Sequence, residues 1–194
     1  MPGNIAVGIA CTSVVIGIIS IALPYWCYLE KSDGPVTVKK HYGLWIYCEE
    51  STIYVKTKST CDSFALIPEF FEAVRMLEVI GLLFVLGAVV LGAIKSAKEN
   101  GTIQHLAGGL AALGGVLMIS GTVVFALNIV GLVGPLETLR ATYGTDILPS
   151  NILHAGFALA IVSGVIALIS GCVFFCSKSV KVTQVRPHPA TLNF

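Results

Sequence analysis

Charge is what this chain has least of. Only 12% of its 194 residues are Asp, Glu, Lys or Arg, about half the share of an ordinary soluble domain. The formal net charge is +1, so nothing points to a nucleic-acid partner, which usually needs a basic face. The motifs that carry catalysis are missing as well. There is no HExxH, no P-loop, no G-x-S-x-G and no zinc-type Cys/His cluster. An enzyme is therefore not expected, and neither is a cofactor or a metal. The apolar regions also lack the relay of acids and histidines that a proton-coupled transporter carries across a membrane.

Long apolar runs are what the chain has instead. It is 55% hydrophobic, with a mean hydropathy of +0.86. Four stretches suit a bilayer core, which takes roughly 20 apolar residues in helical form. They run over about 4–25, 72–94, 104–134 and 151–175. No Lys or Arg precedes the first run, and that run exceeds the apolar core of a signal peptide, so an uncleaved first span is expected. Residues 1–176 then read as one four-span membrane domain, and residues 177–194 as a polar, disordered tail. The polar connections are a long loop over 26–71, a short turn, and a second loop over 135–150.

Four spans place both termini on one side. Lys and Arg nearly balance across the two faces: Lys31, Lys39, Lys40, Lys56, Lys58 and Arg140 against Lys95, Lys98, Lys178, Lys181 and Arg186. The positive-inside rule does not decide between them. Cys48 and Cys61 do, because both lie in the long loop, where an oxidising exterior would let them pair. Free thiols or metal ligation are the competing readings. Pairing places both loops outside and both termini in the cytosol. The sequon Asn100-Gly101-Thr102 then falls on the cytosolic turn and stays bare.

The long loop also reads as strands. "VTVKKHY" and "STIYVKTKST" are rich in β-branched and aromatic residues, and three or four short antiparallel strands are expected. "EFFEAVRMLEV", after Pro68, reads as a helix running unbroken into the second span.

Trp26, then Gly43-Leu44-Trp45, Cys48 and Cys61 resemble the signature of the claudin superfamily, which includes claudins, peripheral myelin and epithelial membrane proteins, and lens fibre membrane protein. "EAVRML" resembles the top of that family's second helix, with Arg75 in the place of its recurring arginine. The resemblance implies a left-handed four-helix transmembrane bundle topped by a small extracellular antiparallel β-sheet. It implies that the Gly-Leu-Trp segment packs the sheet onto the helices and that Arg75 anchors the sheet. It further implies a multi-pass plasma-membrane protein of cell junctions, associating with itself in cis and across cell contacts in trans. Adhesive strands would seal or charge-select the paracellular space. The alternative within the family is an auxiliary subunit of a channel or receptor, or a membrane organiser.

Individual residues carry narrower expectations. Asp62 is a candidate pore-lining acid, with a solvated loop acid as the bland reading. Cys172 and Cys176 are candidates for palmitoylation at the cytosolic end of the last span. Leu192 and Phe194 suit a PDZ scaffold that takes apolar residues at both positions. Trp26 and Trp45 also fit an interfacial aromatic belt. Arg75 and Glu78 are spaced for a local ion pair. Cys11 reads as a small packing residue, Cys27 as a small buried residue or the partner in an intermolecular disulfide, and His154 as a hydrogen-bonded boundary residue or a titrating pH sensor. Gly108, Gly115, Gly164 and Gly171 make small-residue faces for helix packing. Departures from the family are the wider Cys48–Cys61 gap, the extra Cys27, a second loop without aromatic-x-Asn-Pro, and an ending "TLNF".

Overall fold

The computed structural model describes residues 2–33, 36–53, 56–63, 69–98, 101–143 and 153–177. Four helices and one four-stranded sheet make up these residues. Helix α1 spans Pro2–Ala22, α2 Glu69–Lys98, α3 Gly101–Tyr143 and α4 Ala155–Cys176. All four are long and apolar enough to cross a membrane, over Asn4–Ala22, Glu69–Ile94, Thr102–Ile129 and Ala155–Cys176. Helix α1 packs on α2 and α4, and α3 packs on the same two, so the helices close a four-membered bundle.

Helix α4 hides mostly small residues and shows large ones. On α4 the buried stripe is Gly156, Ala160, Ser163, Gly164, Ala167, Ser170, Gly171 and Phe174. Ile161, Val162, Val165 and Ile169 point outward. That order inverts a soluble helix, because lipid tails are as apolar as leucine and association rests on close packing and hydrogen bonds. The glycines expected to pack helices do so within the chain. A Cβ on Gly115 would lie 2.7 Å from the Gly164 carbonyl oxygen, and one on Gly171 3.0 Å from that of Gly108. Hydroxyls tie α1 to α4: Ser13 donates to the Ser163 carbonyl at 2.8 Å, Ser163 to that of Ser13 at 2.7 Å, and Ser170 to that of Ala6 at 2.9 Å.

The strands are β1 Cys27–Asp33, β2 Val36–Tyr42, β3 Ile46–Ile53 and β4 Lys56–Ser63. They form an antiparallel meander in the order β1-β2-β3-β4. Register places Tyr28, His41, Cys48 and Cys61 in one row, so they share a face. Cys27, Tyr42, Tyr47 and Asp62 form the adjacent row on the opposite face. Lys40 and Glu49, cross-strand partners, form an ion pair at 2.8 Å. At the β1 edge, Cys27 bridges to Leu153 just ahead of α4.

Two departures from expectation are clear. Helix α3 continues to Tyr143 through Pro135, so residues 135–143 are helical rather than loop. "LETLRA" supplies strong helix formers there, and they outweigh one missing N–H. Cys11, read as a packing residue, is exposed on the outside of the bundle.

Candidate functional site

The sheet is seated on the bundle by a few residues, and Trp26 is the pivot. Helix α1 ends because Pro24 has no N–H to give the Ser20 carbonyl four residues back. The Trp26 indole N–H makes that bond instead, at 2.8 Å. Its backbone N–H donates to the Tyr42 carbonyl at 2.8 Å, and its own carbonyl accepts from His154 N–H at 3.0 Å. The ring meets Phe125 edge-on at 5.2 Å and is fully buried. Trp26 is thus no belt residue: it joins α1, the sheet and α4 beneath the surface. Around it, Cys27, Leu44, Phe71, Val74, Phe125, Ile129 and Ala160 make the core between sheet and helices.

Gly43, Leu44 and Trp45 divide the next task. A Cβ on Gly43 would stand 2.6 Å from Pro24 Cα and 2.7 Å from the Leu23 carbonyl oxygen, so only glycine lets the hairpin lie on the end of α1. Leu44 is fully buried, whereas Trp45 is 46% exposed. Arg75 of α2 reaches both. Its Nε donates to the Leu44 carbonyl at 2.6 Å, and its guanidinium lies 4.9 Å from the Trp45 ring centre. The local ion pair with Glu78 does not form. Glu78 turns inward, fully buried against Gly121, and neither carboxylate oxygen has a hydrogen-bond partner among the described residues.

Cys48 and Cys61 form a disulfide between β3 and β4, 13 residues apart in sequence. It staples an edge strand whose every residue is exposed. Asp62 lies on that strand beside the staple and is exposed. The Cys27 thiol is buried, and burial pushes its pKa up to about 12. It stays protonated and unreactive at neutral pH. Cys172 and Cys176 are exposed at the far end of α4. Gln104 closes that end, its amide donating to the Phe174 and Ser177 carbonyls. The tail residues Leu192 and Phe194 lie outside the described residues.

His154 precedes α4 but makes no side-chain cap. Its ring instead meets Tyr25, Tyr28 and His41. Sequence reasoning missed several of these residues: His41, Gln104, and the serines at 13, 20, 163 and 170. A lone serine in an apolar run carries no signal of its partner; only the packing of two helices brings hydroxyl and carbonyl together.

A disulfide-stapled meander seated on four bilayer-length helices defines a class: four-span membrane proteins whose first loop is a small sheet. The family model described as PMP-22/EMP/MP20/Claudin tight junction matches residues 11–176, and the chain belongs to this family. Claudin-1 of Mus musculus is 30% identical over 190 residues, covering 89% of this chain and 85% of the relative. Claudin-1 of Rattus norvegicus is 30% identical over 196 residues, with the same 89% and 85% coverage.

Proposed function

We propose that this chain is a claudin-type junction protein of the plasma membrane, whose sheet meets other copies beside it and across the cell contact. The observation that carries the reading is the stapled edge strand. Strand β4 is exposed along its whole length, and an exposed edge offers backbone donors and acceptors to another chain. The disulfide argues for an oxidising exterior on the sheet side, with both termini in the cytosol. Polymerised copies would seal or charge-select the gap between cells.

Within that reading Arg75 anchors the sheet, and Asp62 faces the gap. A carboxylate there draws cations and repels anions, while Lys56 and Lys58 on the same strand oppose it. Cys172 and Cys176, exposed at the cytosolic end, would take acyl chains. The tail, with Leu192 and Phe194, would reach a PDZ scaffold.

The test is expression in cells lacking claudins, with freeze-fracture imaging and paracellular resistance. Strands at contacts and raised or ion-selective resistance are expected. Dispersed protein recovered with a channel would overturn the reading in favour of an auxiliary subunit.

A further inference from the structure

Four aromatic rings close on one another at the seam between sheet and bundle. Tyr25 comes from the turn after α1, Tyr28 from β1, His41 from β2, and His154 from the residue ahead of α4. The His41 ring centre lies 5.0 Å from Tyr25, 5.0 Å from Tyr28 and 6.0 Å from His154. His154 lies 5.7 Å from Tyr25 and 6.2 Å from Tyr28. Backbone bonds run beside the cluster: His154 N–H to the Trp26 carbonyl at 3.0 Å and Gly156 N–H to that of Tyr25 at 2.7 Å. The rings therefore sit where α4 is fastened to the first strand.

The cluster suits neutral imidazoles and not charged ones. Nδ1 of His41 is buried and has no hydrogen-bond partner among the described residues. A neutral imidazole can present an acceptor there, but an imidazolium makes both nitrogens donors. The second proton would create a buried N–H with no acceptor among the described residues. A second imidazole, that of His154, stands beside it with ring centres 6.0 Å apart. The other groups facing His41 divide. Glu50 on β3 favours its charged form, and Lys39 on β2 opposes it. Tyr28 is neutral and donates to Glu30, Tyr25 meets the ring edge-on, and Cys48, opposite His41, is held in the disulfide. Burial, then the charge on His154, outweighs Glu50 and holds His41 below its ordinary value.

We propose that His41 and His154 form a pH-sensitive latch between the sheet and the start of α4, closed while both are neutral and released when both are protonated. The direction follows from linkage. The closed seam binds the His41 proton less well than the open one, which titrates near the ordinary histidine value of about 6.5. Closure is at full strength above that value and is lost as pH falls through it towards the lowered one.

The experiment uses the full chain in lipid nanodiscs. Amide hydrogen exchange at His154 and Gly156, corrected for the intrinsic pH dependence, is compared at about pH 7.5 and about pH 5.5, on either side of the histidine range. Protection in the wild type is expected to be lost on going from the higher to the lower pH, because the closed seam binds the His41 proton less well. His41→Gln/His154→Gln is expected to be flat across the same interval. His154→Gln alone, at an exposed position, is expected to raise the pH at which the His41 ring titrates by NMR, and it keeps the test decisive should the double variant not fold. Equal wild-type protection at both pH values, or an unmoved His41 titration in His154→Gln, overturns the latch. Neither measurement needs junctional strands, so this result and that of the proposed function are read separately.

Discussion

Trp26 shows how one residue serves three elements. Proline at 24 ends α1 and orphans the Ser20 carbonyl, and the indole N–H two residues on satisfies it. Trp26→Phe keeps most of the buried ring and removes that donor. Leaving a buried carbonyl unpaired costs about 1–3 kcal/mol, so a lower melting temperature and reduced surface delivery are expected in thermal unfolding and surface biotinylation. Arg75 makes a different contact, a charged hydrogen bond capped by the Trp45 ring. Arg75→Ala should cost about 1–3 kcal/mol and lower surface biotinylation. Arg75→Lys, which keeps charge but not the planar fork, should recover only part of the loss. Wild-type surface levels for Arg75→Ala would contradict the anchor. The arginine was visible in the sequence. Its acceptor was not, because a backbone carbonyl 31 positions away leaves no mark on composition.

At the scale of elements, the sheet and the helices hold together by different means. The sheet has few buried residues of its own, and β4 has none. A lone small sheet is marginal in water; here the disulfide and the Trp26 core hold it. Cys48→Ser/Cys61→Ser should remove about 3 kcal/mol of loop closure. Exchange protection in β3 and β4 is expected to fall, while helical circular dichroism persists. Loss of both signals together would show the bundle depends on the sheet. The helices instead close through small residues and hydroxyls. Runs rich in β-branched and aromatic residues made the strands legible, and uninterrupted apolar length made the spans legible. The extension of α3 to Tyr143 was not legible, since Pro135 and Gly134 read as a stop.

For the whole molecule, orientation is the matter that function turns on. The disulfide at the sheet end argues that this end lies in an oxidising exterior. Asn100 falls in sequence between the ends of α2 and α3, outside the described residues, and with both termini in the cytosol an unmodified sequon is expected on glycosidase-shift gels. A sequon placed near Lys58 should be glycosylated. Glycan on native Asn100 would invert the topology and the proposed adhesive face with it.

The sequence by itself determined four spans, a stranded first loop and the family, because apolar run length, β-branched and aromatic content and ordered signature residues are all local properties of the chain. Only the tertiary structure decided which face of each helix is inside. Lipid and protein core are both apolar, so hydropathy cannot tell one side from the other, and contact alone sorts them. It likewise decided that Trp26 is buried, that Glu78 turns away from Arg75, and that His41 meets His154. Each of these depends on residues far apart in sequence, brought together only when the helices close and the sheet settles on them.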